Sequence, residues 1–467
     1  MSGHCQSPRI ALIVDNPRRD LRGLVLLVYQ LAKRGAEVFV VPMYQQGYDL
    51  PLLAPDLVIL NYARESNRGL LESYRDLGVR VAVLDTEGGV LSESGFDSPN
   101  NWAASFRDSG LADLVDDYCF WGKAVYDAFR QHSGMEEAGL TLTGCPRYDV
   151  CNQPWSSLLT YPRTGFILVN TNFSAINPAF TRSDEDEQRL FREQGWDAGY
   201  VQNLFAELHS VFPRYLDVVE AIARAVPGRT VQIRPHPFEN EAVYRERFAD
   251  VPNVIIDGKG DIFNAIHGAE CVVHLNCGSS VDAARMGKMP ISMEFLNTEI
   301  MRRHAPLPSR VSCNATSLYE LLALISDPLL RGARYDLIKA RREIEPWYHL
   351  SDGRAAERVA DFILSRGGKT TRGARRSLSA VLRGGRIRPS FRQFLLGGLS
   401  LVAGSHFASL AVERLQSARR GKHIEYAAVR EMVALYRQLD GGPELQVNRL
   451  RSPLAGQALS SFSIRMS

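Results

Sequence analysis

Apolar residues along the first 150 positions fall into short runs separated by amphipathic stretches. Arg9-Ile-Ala-Leu-Ile-Val-Asp15 is apolar up to an acid, Leu21 to Arg34 has helical spacing, and Glu37-Val-Phe-Val-Val-Pro42 is apolar again. Leu57-Val-Ile-Leu-Asn61 and Val79-Arg-Val-Ala-Val-Leu-Asp85 continue the alternation. Runs this short and this continuously apolar read as strands covered on both faces, and the stretches between them as crossover helices of a parallel sheet. A second series follows the turn-rich Cys151-Asn-Gln-Pro-Trp-Ser-Ser segment. Its strands are Phe166-Ile-Leu-Val-Asn170, Val231-Gln-Ile-Arg234, Val254-Ile-Ile-Asp257 and Cys271-Val-Val-His-Leu275, with a long helical region ending near Ala225.

The pattern predicts an α/β protein of two Rossmann-like domains facing a cleft, the outline called GT-B, with a C-terminal helical extension. The expected boundaries are 1–155, 156–366 and 367–467, and Ser351 to Ile363 reads as a capped amphipathic helix closing the second domain. A length of 467 residues suits two domains plus an extension, and 45% hydrophobic with 23% charged residues is ordinary for a globular protein. A net charge of +3 gives no nucleic-acid signature, so nucleic acid is not an expected partner. The seven cysteines are odd in number and scattered, in a chain that shows no secretory signal, which predicts a reducing, cytoplasmic setting. No G-x-G-x-x-G fingerprint follows the first strand, where Asp15-Asn-Pro-Arg18 stands instead, so a nicotinamide cofactor is not expected.

The loops after the strands carry the candidate chemistry. Prolines 235 and 237 force the chain out of the sheet after Val231–Ile233 and bias Arg234 and His236 towards extended geometry. Arg234 offers a planar fork for phosphate oxygens, and His236 a hydrogen bond to a leaving phosphate; the competing reading is a strand-end turn in which His236 caps a loop. Asn276-Cys-Gly-Ser-Ser-Val-Asp282 runs from a strand into a helix, with Gly278, Ser279 and Ser280 as anion donors or as an ordinary helix cap. Asn170-Thr-Asn-Phe-Ser174 supplies Asn170, Asn172 and Ser174 as donor-binding groups or as a solvated turn. In the first domain, Asp85-Thr-Glu-Gly-Gly89 places a carboxylate beside flexible glycines. Glu87 is the first candidate for a general base and Asp85 the second, and Gly88 belongs to the acceptor side. Thr143-Gly-Cys-Pro-Arg-Tyr-Asp149 offers Arg147 on the acceptor side or as a hinge.

A zinc site of His267, Cys271, His274 and Cys277 is disfavoured by strand alternation, which turns His274 away from the cysteines. No metal is expected, since no Asp-x-Asp follows a strand.

Asp85-Thr-Glu-Gly88, Gly144-Cys-Pro-Arg-Tyr-Asp149, Asn170-Thr-Asn-Phe173, Arg234-Pro-His-Pro237, Cys277-Gly-Ser-Ser-Val-Asp282 and Asp352-Gly-Arg-Ala-Ala356, in that order over residues 8 to 366, resemble the bacterial surface carbohydrate biosynthesis proteins. They are also similar to bacterial sialyltransferases and capsule Kdo transferases, GT-B enzymes that use CMP-activated sugars. The resemblance implies a glycosyltransferase with Glu87 as base and with His236, Ser279 and Ser280 on the CMP phosphate. It implies no cofactor beyond the nucleotide-sugar donor, and a glycan or lipid-linked glycan as acceptor. Thr86 stands where the first acid of the motif is usual, and Cys-Gly-Ser-Ser where Cys-Thr-Thr-Gly is usual. Alternatives of the same fold are a CDP-glycerol or CDP-ribitol phosphotransferase, a UDP-sugar 2-epimerase and a non-catalytic scaffold.

Between Lys369 and Arg392 the chain carries six further arginines from Arg372 to Arg388 and no acid, followed by the uncharged stretch Phe394 to Leu410. This predicts peripheral attachment to the inner face of the cytoplasmic membrane, or else a solvated linker, ahead of a small helical appendage from Glu413 to about Leu439.

Overall fold

The computed structural model describes residues 7–88, 98–179, 183–193, 196–366, 423–451 and 458–467. Two compact α/β units are present. Leu159–Pro346 belong to the second, and the described residues before and after that stretch belong to the first.

The first unit opens with strand β1 (Arg9–Val14), helix α1 (Pro17–Ala32) and β2 (Glu37–Pro42), followed by β3 (Leu57–Leu60), β4 (Arg80–Leu84), β5 (Asp117–Phe120) and β6 (Leu140–Leu142). All six run parallel, in the order β2-β1-β3-β4-β5-β6. Four of them coincide with the apolar runs read from the sequence. Pro17 starts α1 where a missing N–H costs nothing, and the Asn16 side chain accepts from Arg18 N. From Leu24 to Ala32 every residue of α1 is buried, which requires cover on both sides of the helix. Gly23 lets α1 approach the turn after β6: a Cβ there would lie 2.5 Å from the Arg147 backbone.

The second unit contains β7 (Phe166–Asn170), α2 (Ala198–Ala225), β8 (Val231–Arg234), β9 (Val254–Ile256), β10 (Ala269–His274), α3 (Ser279–Arg285), β11 (Pro290–Ser292) and β12 (Cys313–Asn314). Its parallel sheet has the order β12-β11-β10-β7-β8-β9. The chain therefore builds outward from β7 in one direction, then returns to place β10 on the other side of β7. The strand ends at β7 and β10 form a topological switch point, where open parallel sheets leave a crevice at their carboxyl edge. Leu204, Leu208, Val211 and Tyr215 form a buried stripe of α2 at helical spacing, packed with Val169 and Ile233 of the sheet.

Two expectations for the end of the chain are corrected. The helix expected to close the second domain, α4 (Ala355–Arg366), belongs to the first unit and packs on α1 through Ala356, Val359, Ala360 and Ile363. Asp149 fixes its start by accepting from Ala355 N at 2.9 Å and Ala356 N at 2.7 Å. The appendage is not wholly helical. After helix α5 (Tyr426–Asp440), strands β13 (Leu445–Arg451) and β14 (Ala458–Met466) extend the first sheet, with β14 antiparallel to β2. Val429, Val433, Tyr436, Phe462 and Ile464 join the core around α1, so the end of the chain completes the cover of that helix.

Among the described residues no helix is long and apolar enough to cross a membrane. The basic tract 369–392 and the stretch 394–410 lie outside the described residues.

Candidate functional site

The carboxyl edge of the second sheet gathers most of the expected donor-binding residues. Register places Arg234, Asn170 and His274 side by side at the ends of β8, β7 and β10, so the three following loops leave the sheet together. Asn170 donates from Nδ2 to Ser279 Oγ at 2.8 Å, and Ser279 Oγ donates in turn to Cys277 Sγ at 3.2 Å. Asn172 donates to the carbonyl of Asn276 at 2.8 Å. Asn276 sits at φ 49°, a left-handed turn that asparagine tolerates and that starts the bend into α3. Gly278 is exposed at the helix start, and Ser174 is half-buried in the turn that ends its loop. Asn170 Oδ1 and Ser280 Oγ are buried with no hydrogen-bond partner among the described residues. Such atoms carry a cost of about 1–3 kcal/mol each unless a ligand or water engages them.

His236 is half-buried beside this group. Its backbone N–H donates to Thr171 Oγ1 at 3.0 Å, and its Nδ1 accepts from Phe238 N at 3.3 Å. A neutral imidazole whose Nδ1 accepts carries its proton on Nε2, which makes that nitrogen a donor. Arg234 behaves differently from its expected role. Its terminal nitrogens donate to the carbonyls of Lys259 and Gly260 at 2.7 and 2.6 Å, so this fork braces the loop after β9.

Glu239 escaped the sequence reading. Its carboxylate, 3% exposed, accepts from Phe173 N at 2.6 Å, from Thr171 Oγ1 at 2.6 Å and from the Tyr244 hydroxyl. It fastens the loop after β7 to the loop after β8. The only hint in the sequence was an acid just beyond the prolines, where it reads as the start of a helix. Burial pushes Glu239 up to about 7, against hydrogen bonds from Thr171, Tyr244 and the Phe173 and His236 backbones that favour its charged form.

The four residues of the zinc reading are dispersed in role. His267 is exposed, and Cys271 lies in the strand core. His274 accepts from Cys277 N at 3.4 Å and meets Ser312 Oγ at 2.8 Å, and burial pushes its ring down to about 4. No group of three or more His, Cys, Asp or Glu side chains among the described residues has the geometry to hold a metal ion.

In the first unit, Asp85 and Glu87 follow β4. Asp85 is buried and accepts from Glu87 N at 2.9 Å and Tyr118 OH at 3.1 Å, while burial raises its pKa. Both of its oxygens hold the loop. Glu87 is 44% exposed and receives Arg19 on Oε1 at 3.2 Å and Arg64 on Oε2 at 3.4 Å. Of the two acids, Glu87 is the one open to solvent. Gly88 packs on an indole: a Cβ there would lie 3.2 Å from the Trp121 ring. Arg147 lies over the Tyr148 ring at 5.5 Å. It lines a cavity of about 20 Å³ with Asp85, Trp121 and Cys145, room for a water or two and far less than a sugar needs.

No protein-family model and no curated protein matches the sequence. Among solved structures the chain is similar to a putative UDP-N-acetylglucosamine 2-epimerase from Listeria monocytogenes, with 15% identity, 77% of this chain and 96% of that one covered, and a TM-score of 0.46. The UDP-GlcNAc 2-epimerase from Neisseria meningitidis bound to UDP-GlcNAc aligns at 10% identity, covering 77% and 100%, with a TM-score of 0.46. The wall teichoic acid polymerase TagF aligns at 11% identity, covering 77% and 88%, with a TM-score of 0.49. Likenesses of this degree decide neither activity nor ligand.

The raised carboxyl of Glu239 has a consequence for stability. The folded chain keeps a proton that the unfolded chain loses near 4.5, so stability falls as pH rises from about 4.5 to about 7 and is level above. Tyr215, Tyr244, Cys277 and the His236 backbone face the same carboxylate, and the three side chains are pushed up and stay neutral in that window. Asp149, also pushed up to about 7, adds slope of the same sign. Thermal denaturation from pH 4.5 to 8 is therefore expected to show a shallower slope in Glu239→Gln than in the parent chain; an unchanged slope contradicts the assignment.

Proposed function

We propose that this chain is a glycosyltransferase that takes a sugar of the Kdo or sialic acid type from a CMP-activated donor. Its acceptor is a cell-surface polysaccharide or the lipid-linked precursor of one. The observation that carries the donor half is the convergence of Asn170, His236, Ser279 and Ser280 at the switch point of the second sheet, with Asn170 Oδ1 and Ser280 Oγ buried and unpartnered. A phosphate oxygen meets part of this set, since it accepts from the Ser280 hydroxyl and from an imidazole Nε2–H, while Asn170 Oδ1, itself an acceptor, calls for a ligand hydroxyl or N–H. The choice of cytidine rests on the order of the sequence motifs. In the proposed reaction an acceptor hydroxyl oxygen forms a bond to the anomeric carbon, and the carbon–oxygen bond to phosphate breaks. CMP leaves with the electron pair, its charge stabilised by His236, and the hydroxyl proton passes to Glu87.

The reading is tested by thermal stabilisation of the purified protein with CMP, CDP, UDP and GDP at matched concentrations, since a ligand that binds only the folded state raises its stability. CMP is expected to stabilise selectively, and His236→Ala to weaken that binding by about 1.5–3 kcal/mol. Preference for CDP or UDP moves the reading to a phosphotransferase or an epimerase, and no response to any nucleotide overturns it in favour of a scaffold. Glu87→Gln is expected to leave nucleotide affinity within twofold while turnover drops at least a hundredfold, roughly the contribution of a general base. Equal losses of binding and turnover would remove Glu87 from that role.

A further inference from the structure

Residue 236 is held from both of its peptide groups by the same pair of residues. Its N–H donates to Thr171 Oγ1 at 3.0 Å, and its carbonyl accepts from Glu239 N at 2.8 Å. Thr171 Oγ1 in turn donates to Glu239 Oε2 at 2.6 Å. A hydroxyl has one proton, and with that proton committed to the carboxylate only the lone pairs of Thr171 face His236 N–H. Above about pH 7, where Glu239 is ionised and can only accept, the carboxylate thereby fixes the direction of the relay. On its other oxygen Glu239 takes Phe173 N at 2.6 Å, which sets the loop that begins with Asn170. The result reaches the imidazole through Phe238, whose N–H to Nδ1 contact at 3.3 Å depends on the turn His236–Glu239 keeping its shape.

We propose that Thr171 and Glu239 are positioning residues that act through His236, setting its imidazole as an Nε2–H donor towards an anionic phosphate ligand before that ligand arrives. The inference rests on the donor-site reading above for the identity of the ligand, and on the relay alone for the state of the ring. Three groups must accept or donate in one sense for the relay to work, and a carboxylate is the side chain that accepts from Phe173, Thr171 and Tyr244 together. An amide in its place presents an N–H₂ to one side and reverses at least one bond.

The test combines ring ¹⁵N chemical shifts with nucleotide titration. In ¹⁵N-histidine-labelled protein without ligand at about pH 8, where Glu239 is ionised, the His236 signals, identified by their loss in His236→Ala, are expected to report the Nε2–H tautomer. Thr171→Val is expected to shift them towards a mixture of tautomers, and Thr171→Ser, which keeps the hydroxyl, to restore them. With CMP as the probe, Thr171→Val is expected to weaken binding roughly three- to tenfold, the share of one hydrogen bond, and Thr171→Ser to stay within twofold of the parent. In the His236→Ala background the same Thr171→Val change is expected to alter affinity by less than twofold, because the group it positions is gone. Equal weakening in both backgrounds, or an unperturbed tautomer in Thr171→Val, overturns the inference. If the parent chain binds no nucleotide, the donor-site reading fails while the ring shifts still decide the relay.

Discussion

A carboxylate buried at the carboxyl edge of a parallel sheet is the constraint on which the loops after β7 and β8 of the second unit depend. Taking Glu239 out of water is costly, and the cost is offset only by donors that face it. Those donors come from both sides of the joint between two loops: Thr171 and Phe173 after β7, and Tyr244 in the helix that follows β8. Their dependence is mutual. Remove the carboxylate and three donors lose their acceptor; move either loop and the charge is left bare.

The first unit uses the same device for other ends. Asp149 holds the start of α4 from a site more than two hundred residues earlier in the chain, and Asp85 holds its own loop through Glu87 N and Tyr118. Glu87 differs from these three buried acids in being open to solvent with a guanidinium on each oxygen. That contrast separates structural carboxylates from a chemical candidate better than the sequence motif does, because Asp85 and Glu87 stand two residues apart in one loop.

The strands were legible because residues buried on both faces must be apolar at consecutive positions, as in Ile10–Val14, Val38–Val41 and Ile167–Val169. The loops were legible because Pro235 and Pro237 announce where a strand stops, and a run of small polar residues announces a turn. What stayed hidden depends on contacts distant in sequence. The strand β14 reads Ala-Leu-Ser-Ser-Phe-Ser-Ile-Arg-Met, where buried serines interrupt any apolar signal, and Ser461 is satisfied by Asp49 far away in the chain. Arg234 looked like a phosphate fork, since nothing in its own segment reveals that the carbonyls of Lys259 and Gly260 meet it. Glu239 was hidden for the same reason.

The central claim is that Asn170, His236 and Ser279–Ser280 together form a phosphate-binding edge on the second unit. Hydrogen–deuterium exchange with and without CMP tests it most directly, because bound ligand slows exchange where it orders the backbone. The account predicts slowed exchange in the segments 171–174, 236–240 and 277–282, with residues 62–88 of the first unit unaffected. Protection that appears in the first unit alone, or in neither, would contradict it.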